Sequence, residues 1–187
     1  MTTPNARNIV FAPGRLSYGA TSLTTDYPHG GTALGNVRAI RAIPGRRYEF
    51  VRAEEFGGER IEALDVGGDG WVLSAILRGC DNDAYAALFP NTSVGTTSQH
   101  RLITETASST NRAGRLLAST GVRLVFTPYA LEDHNFLVLH RAVPMLDATA
   151  SLAFSLSEQL DVAVVFAGFR DSTGKSASYG RRRDITL

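Results

Sequence analysis

The sequence predicts a mainly β fold with one α-helix. Three observations predict it. Apolar residues alternate with small or polar ones along residues 120–170, glycine and proline breaks cut residues 14–79 into short β-rich runs, and only one stretch has helical spacing with a start and a stop signal. Strand side chains alternate between the two faces of a sheet, so a period of two marks a half-buried strand.

In chain order, residues 14–23 (GRLSYGATSL) suit a first strand, and TTDYPHGGTALG at 24–35 reads as a surface loop marked by Pro28, Gly30, Gly31 and Gly35. Strands follow at 37–43, 46–56, 59–66 and 71–79, separated by Pro44-Gly45, by Gly57-Gly58 and by the GGDG turn. Asp81 is a good N-cap for DNDAYAALF, where Tyr85, Leu88 and Phe89 share a helical face, and Pro90 forbids continuation. Residues 91–119 are rich in Ser, Thr and Asn and read as a loop or excursion. Four strands are then expected over 120–170. Within them Ala150, Leu152, Phe154 and Leu156 alternate with Thr149, Ser151, Ala153, Ser155 and Ser157, which gives one oily face and one small, hydroxylated face. After the polar stretch DSTGKSASYGRRR, the segment Asp184 to Leu187 could pair as a sheet edge.

A chain of 187 residues suits one domain that can bury a real core, with polar arms at both ends and an extended charged hairpin at about 44–70. No apolar run approaches the roughly 20 residues needed to cross a bilayer. The N-terminus MTTPNARNIVFAPGR lacks the pattern of a secretory signal. The lone Cys80 has no internal partner for a disulfide, which is compatible with a reducing compartment. With 19 basic residues against 18 acidic ones, the chain has no global field that would gather nucleic acid. All the cations except Lys175 are arginines, whose planar forks suit carboxylates across subunit boundaries.

Several motifs resemble sites without meeting their requirements. FRDSTGKSAS has the Gly-Lys-Ser of a phosphate loop, but Phe169 stands where the motif needs its first glycine and no amphipathic helix follows. His29, His100, His134 and His140 lack metal-ligand spacing, so no metal or cofactor is expected. Glu132, Asp133 and His134 read as a solvated hairpin tip. There is no GxSxG elbow, and residue types alone do not define a triad. Arg181-Arg182-Arg183 could touch phosphates or acidic neighbours, or be a solvated tail.

The charged meander RRYEFVRAEEFGGERIEALD is more informative. Arg46, Arg47, Arg52 and Arg60 interleave with Glu49, Glu54, Glu55, Glu59 and Glu62 around Phe56. Both signs in one hairpin let it meet another copy of itself without net repulsion. A turn-rich opening (APGRLSYG…HGGTALGNV), this EEFGGE hairpin, a strand before one helix, and a closing AVPMLD…ASLAFSLSEQLDVAVVFAG hairpin together resemble the tail tube subunits of long-tailed bacteriophages.

The resemblance spans most of the chain apart from residues 91–119 and rests on layout, not on an invariant signature. It implies a β-sandwich or split barrel with a flanking helix, six copies to a ring, and rings stacked into a hollow tube through which double-stranded DNA passes without sequence-specific binding. It also implies a virion tail assembled in the host cytoplasm, with tape measure, tail terminator and distal tail proteins as partners and no enzymatic activity. Under this reading Arg46, Arg47, Glu54, Glu55, Phe56, Glu59 and Arg60 are the ring-stacking candidates. Thr149, Ser151, Ser155 and Ser157 are candidates to line the channel or to lie between subunits. A related neck, tail-terminator or distal-tail ring protein and a secretion-type tube subunit share the layout. An enzyme or ligand-binding β-sandwich, with its site near Glu132 to His134 or at Lys175, is the less favoured class.

Overall fold

The computed structural model describes residues 13–45, 47–53, 59–67, 70–79, 81–88, 92–96, 101–105, 117–130, 135–145 and 161–187. Their strands are β1 Gly14–Tyr18, β2 Thr32–Pro44, β3 Arg47–Ala53, β4 Glu59–Gly67 and β5 Trp71–Arg78, followed by helix α1 Asn82–Leu88. Then come β6 Thr92–Thr96, β7 Arg101–Glu105, β8 Val122–Pro128, β9 Phe136–Met145, β10 Asp161–Phe169 and β11 Ala177–Gly180. The fold is mainly β with one α-helix among the described residues, as the sequence predicts. No helix among the described residues is long and apolar enough to cross a membrane.

Six strands close on themselves in the order β10-β5-β2-β1-β8-β9, with β9 pairing back onto β10 and every neighbour antiparallel. Closure removes the exposed strand edges that invite unwanted pairing. The interior follows from alternation. Leu73, Ala75 and Leu77 of β5 and Val162, Val164 and Phe166 of β10 point inward, meeting Leu16, Leu34, Leu124 and Leu139 from the other strands. Ala84 and Leu88, four apart on α1, pack against the same cluster. Asp81 caps the helix as expected, its Oδ1 accepting the Ala84 N–H at 2.8 Å.

β8 and β9 are buried on both faces. Outside the barrel, Val125, Phe136 and Val138 form a second cluster with Ala20 and Leu23, and Ile185 and Leu187 of the C-terminal tail pack on it. Arg182 fastens this cover by donating from Nε to the Leu23 carbonyl at 2.5 Å and from Nη2 to the Thr25 carbonyl at 2.9 Å. Ile185 and Leu187 gain more by burying their side chains than by pairing as an edge, so the expected terminal strand is absent. Arg182–Asp184 forms a 3₁₀ turn, and the edge strand is β11, paired to β9.

Two other expectations are corrected. The loop expected at 24–35 gives way to β2 at Thr32, because β2 carries a bulge there and Gly35 takes φ +99°, which bends the strand instead of ending it. Residues 91–119 are not only an excursion. They hold the hairpin β6–β7, with Val94 opposite Ile103 and Thr92 opposite Glu105, because threonine and short apolar alternation suit a pleated surface even in a polar stretch. Of the strands expected over 120–170, three are described as β8, β9 and β10; residues 149–157 lie outside the described residues.

Phe166 has no exposed surface in the barrel centre, whereas Ile43 lies on an outward position of β2. Phe166→Ala is expected to cost about 3–5 kcal/mol in urea unfolding and Ile43→Thr less than about 1 kcal/mol. Similar losses for both would contradict this inward and outward assignment.

Candidate assembly surface and a buried histidine junction

The feature that leaves the barrel is a two-stranded ribbon. β2 and β5 pair as far as Pro44 opposite Trp71, Gly45 donates its N–H to the Gly70 carbonyl at 2.6 Å, and β3 and β4 then continue the pairing from Arg47 opposite Gly67 to Ala53 opposite Glu59. A Cβ on Gly45 would stand 2.6 Å from the Gly70 carbonyl oxygen, so only glycine lets the two strands approach this closely here. Of the ring-stacking candidates, Arg47 opens β3, Glu59 opens β4, and Arg60 faces Arg52 in the register. Arg46, Glu54, Glu55 and Phe56 lie outside the described residues, as do Thr149, Ser151, Ser155 and Ser157 and the cluster Glu132, Asp133 and His134.

The outer face of β2, β5 and β10 is bare among the described residues. Its cross-strand rows are Ala39, Ile76 and Ala163, then Arg41, Ser74 and Val165, then Ile43, Val72 and Ala167, because directly opposed residues share a face. Met145 extends the middle row through its pairing with Val165, and Phe169 closes β10 on the same side. Among the described residues, four of the seven exposed large apolar side chains, Ile43, Val72, Met145 and Phe169, therefore fall on one face. Scattered singles would be ordinary, whereas this concentration forms a contiguous apolar patch. The sequence pointed to the charged hairpin for stacking and to 149–157 as channel-lining or inter-subunit candidates, and did not single out this face. The signal was present in the alternation of VRAIRAI and DVAVVFAGF, whose outward positions hold few charges.

At the end of these strands away from the ribbon, Asp161 joins two arginines. Arg38 Nη1 donates to its Oδ2 at 2.7 Å, and Arg78 donates from Nε to Oδ1 at 3.1 Å and from Nη2 to Oδ2 at 3.5 Å. The hydrogen bonds from Arg78 and then Arg38 hold the Asp161 carboxyl below the usual carboxylate range, and the same carboxylate raises Arg78.

A second constellation lies where β10 hands over to β11. Both strands run along the same side of β9, and residues 170–176 leave the sheet opposite His140, whose N–H donates to the Ser176 carbonyl at 3.0 Å. His140 Nε2 meets Ser178 Oγ at 2.7 Å, and its Nδ1 faces Asp171 Oδ2 at 3.8 Å. The tautomer with the proton on Nδ1 directs an N–H toward the carboxylate and leaves Nε2 to accept from Ser178. Serine, histidine and aspartate are thus in the order of a hydrolytic triad. The imidazole, however, has no exposed surface, whereas a nucleophilic serine has to meet its substrate with the base alongside. What the geometry does is pin the excursion to the barrel wall.

The same loop settles the resemblance to a phosphate loop. Asp171 Oδ1 accepts from Thr173 N at 2.8 Å, Thr173 Oγ1 at 2.7 Å and Lys175 N at 2.9 Å. The backbone donors that would cradle a phosphate are filled by the chain's own carboxylate, and β11 follows where a helix would be needed. Among the described residues no group of three His, Cys, Asp or Glu side chains could hold a metal ion.

His29 is buried as well. Its Nδ1 donates to the Thr25 carbonyl at 2.9 Å, and its Nε2 accepts from Thr127 Oγ1 at 2.8 Å. Burial lowers the pKa of both histidines. For His29 the Thr25 carbonyl and Asp26 oppose this while Arg182 and Arg15 add to it; for His140 Asp171 opposes it while Lys175 and Arg123 add to it. A histidine held below 6.5 binds its proton more weakly in the folded than in the unfolded chain. Stability is therefore full above about pH 6.5 and falls as the pH drops through the window beneath it. Thermal unfolding should show a falling Tm from pH 7.5 to pH 5.5, and His140→Gln should flatten that slope. A Tm that rises on acidification over this range would refute the assignment.

Comparison with family models, with curated proteins and with solved structures found no match.

Proposed function

We propose that this chain is a structural subunit that forms hexameric rings, stacking into a hollow tube of the kind found in the tails of long-tailed bacteriophages, and that it performs no chemistry. The observation that carries this reading is the ribbon. A closed barrel has satisfied its own strands, yet β3 and β4 continue β2 and β5 beyond it as a separate two-stranded sheet. Isolated two-stranded hairpins are marginal in water, so such an extension is best accounted for by a partner that packs on it.

The bare face of β2, β5 and β10 supports the same reading, since lateral contacts within a ring would cover its apolar rows. The resemblance in sequence layout supplies the finer content: a sandwich or split-barrel type of tail tube domain, passage of double-stranded DNA through the lumen, and a site of action in the virion. A tube for DNA needs an inner wall poor in arginine, because dense cation would hold phosphate and stall passage. In this mechanism the ribbon projects along the tube axis to the next ring, and the small hydroxylated residues at 149–157 line the channel or lie between subunits.

Negative-stain electron microscopy of the purified protein is expected to show stacked six-fold tubes. Isolated rings of other symmetry would instead point to a neck, terminator or distal-tail role. The double charge reversal Glu54→Arg, Glu55→Arg should leave the circular dichroism spectrum unchanged and abolish stacking; normal tubes from this variant would overturn the axial role of the hairpin.

A further inference from the structure

The ribbon needs a receptor, and the geometry points to one: we infer that the Arg38–Asp161–Arg78 cluster receives the acidic hairpin of a second copy of this chain. The inference rests on the tube reading and adds to it the surface that the hairpin meets.

Position is the first argument. The hairpin leaves β2 and β5 at Pro44 and Trp71, whereas Arg78 ends β5 and Asp161 opens β10 at the far end of the same strands. Arg38 lies six residues before Pro44 on β2, about 20 Å from the hairpin base at the usual rise of a strand. The base of the hairpin and the receptor therefore lie at opposite ends of the same strands. That is the requirement for head-to-tail stacking, in which the two contacting surfaces differ and growth continues.

Charge is the second argument. Residues 46–67 carry six carboxylates against four arginines, and the surplus is concentrated at Glu54, Glu55 and Glu59. The receptor has the opposite imbalance, with two guanidinium groups sharing one carboxylate. The arginine side chains remain 60% and 42% exposed while Asp161 fixes where they sit. A guanidinium has five donors, so one held by a carboxylate on one side can engage a second from another chain. Preorganisation by Asp161 also means that less side-chain entropy is lost on docking. A self-complementary contact between two such clusters would bring like charges together, so the partner surface has to be a different, acidic one.

The test is a charge swap read by sedimentation velocity and electron microscopy. Arg38→Glu combined with Arg78→Glu should weaken self-association at least ten-fold, as should Glu54→Arg combined with Glu55→Arg. The chain carrying all four substitutions should recover association, because both surfaces are inverted together. Circular dichroism and Tm identify any variant that fails to fold, and recovery in the fourfold variant excludes misfolding as the cause of the single-surface losses. Undiminished association of the Arg38→Glu, Arg78→Glu variant, or no recovery in the fourfold variant, overturns the receptor assignment while leaving the tube reading standing. Association that obeys the swap but yields only closed, unstacked particles supports the receptor and overturns the tube. A wild-type chain that stays monomeric at millimolar concentration overturns both.

Discussion

The pairing of β9 with β10 is the constraint on which the rest of this structure depends. It runs from Met145 opposite Val165 to Arg141 opposite Phe169 and joins β10, at one end of the strand order, to β9, five places along it. Without it β10 would be an open edge and Phe166 would lose the enclosed interior that it fills. Closure also fixes the two directions in which the molecule can make contacts. The ladder is satisfied laterally, so the backbone offers little there except along β11, and what remains for a partner is the side-chain surface of β2, β5 and β10 and the ribbon that leaves the barrel end.

Covering is unequal around the wall, and this inequality separates structure from candidate function. β8 and β9 are buried on both faces because the segment around Leu23 and the tail residues Ile185 and Leu187 lie over them, held by Arg182. β2, β5 and β10 have no such cover among the described residues, and their outward rows are nonetheless mostly apolar, Arg41 and Ser74 excepted. The chain thus fastens its own tail over β8 and β9 and leaves the outer side of β2, β5 and β10 uncovered among the described residues. The buried histidines belong to the fastened side: His29 ties the 25–29 turn to Thr127 on β8, and His140 ties the 170–176 excursion to β9.

That excursion shows how a motif can mislead. Gly174, Lys175 and Ser176 look like a phosphate-binding signature in one dimension. In three dimensions Asp171 already occupies the donors of Thr173 and Lys175, so the loop binds its own carboxylate. The Ser178, His140 and Asp171 arrangement misleads in the other direction. Nothing in the sequence suggests it, and its geometry has the outline of a triad, yet the enclosed imidazole makes it a fastening.

The sequence by itself determined the strands β3, β4 and β5 and the helix with its Asp81 cap, because periodicity, caps and turn residues act over a few neighbouring positions. It misjudged β6 and β7, the start of β2 and the tail, where composition pointed to loop or edge and long-range contacts decided otherwise. Barrel closure, the double burial of β8 and β9, the meeting of Arg38 and Arg78 at Asp161, and the filling of the Gly174 loop by Asp171 belong to the tertiary structure alone. Each depends on which residues become neighbours across tens of positions of chain, and that is set by the balance of burial and pairing over the whole barrel, not by any local pattern.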